Sequence, residues 1–427
     1  MIAESEEVCV EDLIDEIAMG PFGSNIKTDC FVNSGIPVFN GSNLTGFETN
    51  DTALRYVTPE KANSLGNALA SRGDIVITHR GTLGQVAMVP YDSKYPRYVI
   101  SQSQFRIRCN DKVLPKFFVY YFHTREGQWR LLSNKTQTGV PALGRPTSTF
   151  RKLSMPLPTF EKQAKIVQVI DTIQEKIKNN TKLNGYLDEL SAAVFVNWLT
   201  KHAGGKEIAS LTTDDGHLSL GELCSKVTDG AHSSPRNNPN GKYPMLSVRD
   251  MRRFGFDYTS CKMINRLDFD TMVASDCVPK VDDILVAKDG SYLKEIFITN
   301  EERHEAVLSS IAIFRPDKRV IAPEILLRFL KHPRIQKLVA DNFVSGSALP
   351  RIVLKDFKKL ALLTPSRKEQ AEILPILQMI RSLTWANEVE SERLTNLRDV
   401  LLPKLIAGEI DVSKVHFTQL NDDRRIH

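Results

Sequence analysis

Two carboxylates and a lysine are the residues of this chain whose types could form a catalytic site. Asp282, Asp283 and Lys288 faintly match the carboxylate–lysine set of a nuclease. All three belong to the stretch "DDILVAK", whose short run of branched apolar residues is typical of a buried strand. We therefore interpret them as residues at the ends of a strand and not as a catalytic set.

Other catalytic motifs are also missing from the sequence. The span Gly41–Glu48 begins with the glycine spacing of a phosphate-binding loop, but it ends in Phe-Glu where that loop needs Lys followed by Ser or Thr. The sequence contains no Asn-Pro-Pro-Tyr signature of an amino-methyltransferase and no Gly-x-Gly-x-x-Gly turn. Three histidines are isolated and are interpreted as surface or packing residues: His79, His232 and His304. We predict that the chain itself is not an enzyme and uses no cofactor.

Length and composition bound the architecture and the class of partner. The chain has 427 residues, which suits two hydrophobic cores, and its 41% hydrophobic and 25% charged content is typical of a globular protein. A formal net charge of +5 permits a polyanionic partner without requiring one. Because there is no signal peptide and no apolar run of roughly 18 to 20 residues, we expect a soluble cytoplasmic protein with no membrane partner. Six scattered cysteines are expected to be reduced thiols, with neither disulfides nor a zinc site: Cys9, Cys30, Cys109, Cys224, Cys261 and Cys277.

The main signal in the sequence is an internal repeat. Gln163 and Gln370 lie in two similar stretches at an offset of 207 residues (370 − 163), and the same offset pairs Asn180 with Asn387. The match extends upstream, where "SQFRIR" falls on "SIAIFR" and "TFRKL" falls on "DFKKL". The chain is therefore one tandem duplication of a module followed by a helix, and not a solenoid of many short units.

Each module has the pattern of a mixed α/β fold. The stretches "GDIVITH" and "DDILVAK" predict short buried strands that end at glycine-containing turns. A helix is predicted to start near Pro115 in the first module and near Pro323 in the second, because proline is tolerated in the first turn of a helix. Short strands and polar turns account for the remainder of each module.

Long helices are predicted after each module. Apolar residues recur at steps of three and four in Ile166–Val194 and in Ile373–Leu401, which is typical of a coiled-coil seam. About 35 residues at 1.5 Å each give a length on the order of 50 Å. If the helices pair antiparallel, Asn180 and Asn387 approach each other and can set the register by hydrogen bonding; the alternative is that both are exposed. Pro375 is expected to kink or fray the second helix.

Such a helix pair restricts the symmetry of the ligand. Two similar modules at opposite ends of an antiparallel helix pair are held at a fixed separation and are related by an approximate twofold axis. Their ligand is then expected to have two parts with a fixed gap between them. Duplex DNA meets this requirement, because its half-sites lie one helical turn of about 34 Å, or a multiple of it, apart.

Six stretches, spread over both modules and both helices, carry a resemblance to a known family. They are "GPFGSNIK", "VTDGAHSSP", "GDIVITHRGTLGQVAMV", "SGSALPRI", "LPTFEKQAKI" and "LLPKLIAGEI". Together they resemble the specificity subunit of Type I restriction–modification systems, in which two target recognition domains alternate with two conserved helical regions. The resemblance covers nearly the whole chain, although "TGVPALGRP" in the first module departs from its counterpart "SGSALPRI".

The resemblance implies a non-catalytic, DNA-binding subunit. Its fold class would be α/β (mixed α+β), with two similar target recognition domains separated by two long helices that form an antiparallel coiled coil. Each domain would recognise one half of a split sequence in the major groove of double-stranded DNA, and the helices would set the spacer and dock two methyltransferase subunits. Restriction subunits would join the full complex, and S-adenosylmethionine would belong to the partners. The expected boundaries are 1–158 and 205–365 for the domains, 159–204 and 366–412 for the helices, and 413–427 for a C-terminal tail.

Base recognition requires particular side chains on exposed loops. Specific contacts favour Arg or Lys on guanine and Asn or Gln on adenine, whereas other basic residues contact only phosphates. The candidates in the first module are Lys27, Asn40, Ser42, Asn43, His79, Arg80, Thr82, Gln102 and Gln104. The candidates in the second module are His232, Arg236, Arg249, Arg252, Arg253, Lys288, Ser291, Tyr292, Lys294 and Arg351. The best cluster is "RDMRR", which could also contact phosphates, and for each residue the alternative is an ordinary solvated side chain.

Two other functions remain open from the sequence. The same shape suits a two-module scaffold or adaptor that binds protein without DNA specificity. Salt-sensitive binding would favour DNA over this scaffold, because contacts to phosphates release counterions. An intrinsic nuclease or methyltransferase would instead show activity without partner subunits.

Overall fold

The computed structural model describes residues 6–136, 140–213, 216–346 and 349–412. The predicted C-terminal tail, 413–427, lies outside the described residues. The chain divides into two compact units, the first of residues 1–176 with 393–427 and the second of residues 177–392. Within the described part of the chain, no helix combines the length and apolarity needed to cross a lipid bilayer.

Short strands and short helices make up most of the first unit. Its strands are β1 (Glu6–Cys9), β2 (Ile14–Met19), β3 (Phe31–Val32), β4 (Ile36–Val38), β5 (Arg55–Val57), β6 (Leu69–Ser71), β7 (Ile75–Thr78), β8 (Val86–Met88), β9 (Arg97–Val99), β10 (Gln104–Cys109) and β11 (Ser154–Leu157). Its short α-helices are α1 (Pro59–Ser64), α2 (Pro115–His123), α3 (Arg125–Leu132) and α4 (Pro146–Arg151), and the long helix α5 (Phe160–His202) starts here. Short 3-10 helices cover Val10–Leu13, Gly23–Asn25, Thr28–Cys30, Gly41–Asn43 and Gly66–Ala68.

A four-stranded antiparallel sheet with the order β2-β10-β7-β8 lies at the centre of the first unit. The predicted buried strand "GDIVITH" is confirmed as β7, whose four residues are all buried. Because side chains alternate across a strand, Ile75 and Ile77 face the core that includes helix α2. Val76 faces the opposite core, where it meets Phe39 and Tyr98. A second sheet, in the order β3-β5-β4-β9-β6, contributes to that opposite core, so the central sheet is buried on both faces.

The second unit contains a corresponding set of elements. Its strands are β12 (Ala209–Ser210), β13 (His217–Ser219), β14 (Cys224–Asp229), β15 (Tyr243–Leu246), β16 (Met251–Arg252), β17 (Gly255–Phe256), β18 (Lys262–Ile264), β19 (Ile284–Ala287), β20 (Ile296–Ile298), β21 (Ala306–Val307), β22 (Ile311–Pro316), β23 (Val344–Ser345), β24 (Arg351–Ile352) and β25 (Ala361–Leu363). Its helices are α6 (Leu220–Leu223), α7 (Arg266–Ala274), α8 (Pro323–Lys331), α9 (Pro333–Asn342), α10 (Leu354–Phe357) and the long α11, which runs from Arg367 to Ile406.

The two central sheets have the same topology. The second has the order β14-β22-β19-β20, which matches β2-β10-β7-β8 strand for strand, and its neighbours are also antiparallel. The prediction of a buried strand in "DDILVAK" is confirmed as β19. The predicted helix starts are confirmed as well, since α2 begins at Pro115 and α8 at Pro323. The sequence repeat is therefore a repeat of the fold.

Each long helix is joined to its module by a buried glutamine. In the first unit, the Oε1 of Gln163 accepts from the Leu114 N–H (2.9 Å), and its Nε2 donates to the carbonyls of Lys112 and Pro158 (both 3.0 Å). The repeat mate Gln370 makes the same set of bonds in the second unit. Its Oε1 accepts from the Ala322 N–H at 3.0 Å, and its Nε2 donates to the carbonyls of Val320 and Pro365 at 2.8 and 2.9 Å.

Within the second unit, the segments of α5 and α11 run antiparallel. Asn180 lies beside Asn387, with its Nδ2 3.4 Å from that residue's carbonyl, while Trp198, further along α5, donates to the carbonyl of Glu369 at 3.1 Å. The expected approach of Asn180 and Asn387 is confirmed. The side chain of Asn387 itself bonds Asn184, whose Oδ1 accepts from the Asn387 Nδ2 at 2.7 Å. Asn180 and Asn184 are both buried, so these bonds can fix the register.

Two of the residues predicted for the apolar seam lie outside it. Leu190 is 51% exposed and its repeat mate Leu397 is 47% exposed. The buried face of α5 instead continues through Phe195 and Trp198, which join the core of the second module. Around Phe195 and Trp198, helix α5 therefore packs broadly against the second module and not only against α11.

Pro375 does not fray α11, because the helix is continuous from Arg367 to Ile406. Pro375 is exposed, and so is Ala371, whose carbonyl would otherwise bond the missing N–H. Water can satisfy that carbonyl, which limits the cost of the proline.

We predict that Gln370→Ala destabilises the second unit. The substitution leaves the N–H of Ala322 and the carbonyls of Val320 and Pro365 without their partner, which costs about 3 kcal/mol. The midpoint of thermal unfolding should fall by about 6–12 °C. Gln378→Ala, at an exposed position of the same helix, is the control and should lower the midpoint by less than about 2 °C. Equal midpoints for the two variants would contradict the structural role of Gln370.

Candidate nucleic-acid interface

The central sheet of the first unit carries a group of loops at one edge. Strands β2 and β7 end at this edge, and β8 and β10 begin there, because neighbouring strands are antiparallel. We define the first loop edge as residues 20–27, 79–85, 100–103 and 140–143.

Backbone hydrogen bonds tie these loops to one another. The Gly20 N–H donates to the carbonyl of Gln104 at 2.8 Å, and the His79 N–H donates to that of Ser103 at 2.9 Å. The next loop is joined by bonds from Gly81 to the Pro141 carbonyl and from Leu143 to the His79 carbonyl, both of 2.8 Å. These bonds join neighbouring loops through their backbones, so the edge presents its side chains from a defined backbone.

A tight turn at residues 40–43 adjoins the first loop edge. The Nε2 of Gln85 donates to the carbonyl of Gly41 at 2.8 Å and so connects the turn to the loop after β7. Within the turn, the side chain of Asn40 accepts from the Ser42 N–H at 2.8 Å. Asn43 is fully buried, and its Nδ2 donates to the carbonyls of Asn50 and Thr52. Asn43 therefore shapes the turn, whereas Ser42 is exposed.

In the first module, the side chains of His79 and Gln104 are hydrogen-bonded to backbone atoms of the loop that precedes β10. The Nε2 of His79 lies 3.2 Å from the carbonyl of Gln102, and burial lowers the pKa of His79 below its usual value of 6.5. The imidazole is therefore neutral at neutral pH. Gln104 is buried, and its Oε1 accepts from the Ser101 N–H at 2.9 Å. The remaining candidates are exposed: Lys27, Arg80, Thr82 and Gln102.

The second unit repeats this edge, which we define as residues 230–236, 288–295, 308–310 and 349–352. The Lys288 N–H donates to the carbonyl of Ser310 at 2.9 Å, as His79 does to Ser103. The Gly290 N–H donates to the carbonyl of Pro350 at 2.8 Å, as Gly81 does to Pro141. The two edges thus share one backbone scheme.

The charged residues of the second loop edge are partly paired. The Nζ of Lys288 lies 2.6 Å from Asp229 Oδ2, and the pair is largely buried. The Nε2 of His232 lies 3.2 Å from the other oxygen of the same carboxylate. Asp229 was not among the predicted site residues, although it lies in the stretch "VTDGAHSSP". Tyr292 packs against the core, and the exposed candidates are His232, Arg236, Ser291, Lys294 and Arg351.

The carboxylate–lysine set considered at the outset is confirmed as strand-end residues. Asp283 precedes β19 and forms an ion pair with Arg315 at 2.8 Å, whereas Lys288 follows the strand at its other end. Asp282 pairs with Arg381 at 2.7 Å. The carboxylates and the lysine are therefore separated by the length of the strand.

The three arginines of the cluster "RDMRR" have different surroundings. The turn that contains Arg249 is bonded to the second loop edge through the Val248 N–H and Ser310 Oγ (3.1 Å), and Arg249 itself is exposed. Arg252 pairs with Asp257 at 2.7 Å. Arg253 instead reaches Asp188 of helix α5 at 3.0 Å.

Asp188 is the centre of an ion cluster between α5 and the second module. Its carboxylate also lies 2.7 Å from the guanidinium of Arg328, beside Lys331. Burial alone would raise the pKa of Asp188, but these cations, with hydrogen bonds from Arg328 and Arg253, lower it to about 2. The carboxylate is therefore ionised at neutral pH and holds Arg253 against the helix.

Sequence analysis also missed exposed apolar residues at both loop edges. Phe22 and Val140 belong to the first edge and Leu349 to the second. The signal for Phe22 was present in "GPFGS", where an aromatic residue stands between turn-forming residues.

Comparisons with known proteins agree with this architecture. The sequence model of the family described as Type I restriction modification DNA specificity domain matches residues 4–187 and 217–395. The specificity subunit of the Type I restriction enzyme MjaIX, from Methanocaldococcus jannaschii, is 25% identical over 94% of this chain and 93% of its own length. That of the Type I restriction enzyme HindI, from Haemophilus influenzae, is 24% identical over 79% of this chain and 87% of its own length.

A solved structure shares the fold. The crystal structure of the S subunit of a Type I restriction–modification system from M. genitalium gives a TM-score of 0.50 at 16% identity, covering 94% of this chain and 95% of that one. The family model matches most of this chain, in two copies that each contain one loop edge. The chain therefore belongs to the family of Type I restriction–modification DNA specificity subunits, whose two repeated domains recognise a DNA target.

Proposed function

We propose that each loop edge contacts one half of a bipartite duplex target and that the chain gives its sequence specificity to a Type I restriction–modification complex. The observation that carries this proposal is the duplicated loop edge, in which one backbone scheme presents two different sets of side chains. Two loop edges with the same backbone arrangement but different side chains are suited to two different half-sites. In this proposal residues 1–158 and 205–365 are the recognition modules, and the long helices set the gap between the halves.

The exposed candidates are the residues that we propose touch DNA. In the first module they are Lys27, Ser42, Arg80, Thr82 and Gln102. In the second they are His232, Arg236, Arg249, Ser291, Lys294 and Arg351. The buried or paired candidates would position them instead: Asn40, Asn43, His79, Gln104, Arg252, Arg253, Lys288 and Tyr292. Arg and Lys can bond the guanine edge or a phosphate, and Gln can bond adenine.

We further propose that the long helices dock two methyltransferase subunits and that restriction subunits join the full complex. Helix α5 exposes Leu183, Tyr186 and Leu190, whose spacing places them on one face. Exposed apolar side chains in a row are typical of an interface with another protein. Catalysis and S-adenosylmethionine binding would then belong to the partners, and this chain would be non-catalytic. We expect the complex to act in the cytoplasm of a prokaryotic cell, where the DNA lies.

DNA binding is tested with the chain purified together with its methyltransferase subunits. We predict that Lys294→Ala and Arg351→Ala each weaken binding to duplex DNA and lower the salt slope, log Kd against log salt, by about one where a phosphate contact is lost. Fluorescence anisotropy at several salt concentrations measures both quantities. Arg319→Ala is the matched control, because Arg319 is exposed and follows β22 at the opposite edge of the sheet.

Two outcomes would contradict DNA recognition by this edge. One is wild-type binding that does not depend on salt, which would favour the protein scaffold. The other is an equal loss of affinity in Arg319→Ala and in the two loop-edge variants.

Docking is tested on the exposed face of α5. We predict that Leu183→Ser combined with Leu190→Ser weakens assembly with the methyltransferase subunits by about 10-fold or more, because two apolar side chains would no longer be buried in the interface. Isothermal titration calorimetry measures the affinity. Leu267→Ser, at an exposed apolar position on α7, is the control. Unchanged assembly of the double variant would refute the role of this face.

A further inference from the structure

Phe22 is the most exposed large apolar side chain described in either unit, with 82% of its surface accessible to solvent. It belongs to the first loop edge, where the chain leaves β2 through the segment "GPFGS". Burial of a Phe side chain is favourable because it removes a large apolar surface from water. An aromatic residue left in water at a proposed DNA interface is therefore suited to contact with an apolar part of the ligand.

The backbone around Phe22 is closely packed. A Cβ atom at Gly20 would lie 1.9 Å from the carbonyl oxygen of Ser101, so no other residue fits there without moving the loop. A Cβ atom at Gly23 would lie 2.3 Å from the Oε1 of Gln102. The carbonyl of Phe22 accepts from the Asn25 N–H at 2.8 Å. The close approach at Gly20 and the bond from Gly20 to Gln104 place the start of the segment against the neighbouring loop, so Phe22 projects from a defined stretch of backbone.

The second module builds the same segment with a different tip. Gly230 stands at the place of Gly20, and a Cβ atom there would lie 2.1 Å from the carbonyl oxygen of Val307. His232 then takes the place of Phe22 and approaches Asp229. The backbone of the segment is thus the same in both modules, while the residue two positions after the glycine changes from Phe22 to His232. Such a change is expected of a residue that distinguishes two half-sites.

We propose that Phe22 is a specificity-determining residue that packs against the C5-methyl group of a thymine in the half-site contacted by the first module. This inference rests on the proposed function and deepens it. In the major groove the thymine methyl is the apolar feature of the base edges, and Phe is one of the side chains that contact it. Val140, 57% exposed, is a second exposed apolar side chain at the first loop edge.

The test uses the full chain with its methyltransferase subunits and the duplex target that the complex methylates. Each thymine of the first half-site is replaced in turn by deoxyuridine, which removes only the methyl group. We expect one position at which the replacement weakens wild-type binding about fourfold, since burial of one such group contributes about 0.8 kcal/mol. Phe22→Ala should bind the thymine target more weakly and should lose its sensitivity to deoxyuridine at that position alone.

Tyr91→Ala is the matched control. Tyr91 is 62% exposed and follows β8, at the end of that strand opposite to the first loop edge. This variant should keep both the wild-type affinity and the sensitivity to deoxyuridine. Equal melting temperatures of the variants and the wild type would show that the loop substitution leaves the fold intact.

Three outcomes would overturn the inference while leaving the proposed function in place. They are sequence-specific binding with no thymine position sensitive to deoxyuridine, sensitivity that persists in Phe22→Ala, and a Phe22-dependent rise in the fluorescence of 2-aminopurine placed in the first half-site. The last would show that the ring unstacks bases as a wedge. Failure of the wild-type complex to bind any duplex specifically would instead overturn the proposed function.

Discussion

A buried amide whose oxygen and both N–H groups are hydrogen-bonded joins each module to its long helix. Gln163 and Gln370 each connect three parts of the backbone: the start of the long helix, the proline two residues before that helix, and the segment that leads into the helix after the central sheet. Rotating or sliding the helix against its module would leave these groups unpaired in the interior, at roughly 1–3 kcal/mol for each group. The loop edge of each module therefore has a fixed orientation relative to its own helix segment. The proposed recognition of DNA by the loops would therefore be coupled to the position of the long helix.

At the loop edges, the backbone hydrogen bonds are the same in both modules, whereas the exposed side chains differ. Backbone bonds from His79 and Lys288 to equivalent serines repeat in both modules, and so do the glycines that allow close approach. The side chains that these frames present do not repeat. His79 is neutral and bonded to a carbonyl, whereas Lys288 is paired with a carboxylate. A duplicated fold can thus acquire two specificities by changing exposed residues, without disturbing the buried bonds that hold the loops.

The buried strands and the duplication could be predicted, because hydrophobic periodicity and internal repetition can be recognised in the sequence alone. Ile75–Thr78 and Ile284–Ala287 are short branched runs between turn signals, and the offset of the two glutamines identified the duplication. Which polar residues are buried could not be predicted, because burial depends on contacts made by distant segments. Asn43 and Gln104 looked like base-contacting residues, yet their side chains bond neighbouring backbone in the interior. Leu190 looked like a seam residue, but the helix turns a different face to its module.

The central claim is that each module recognises its own half of the target. The most direct measurement replaces residues 205–365 with the corresponding module of another specificity subunit and expresses the hybrid with its methyltransferase subunits in cells that lack other DNA methylation. Long-read sequencing then reports the methylated motif before and after the exchange. The account predicts that one half of the motif changes while the other half stays the same. A change in both halves, or in neither, would contradict it.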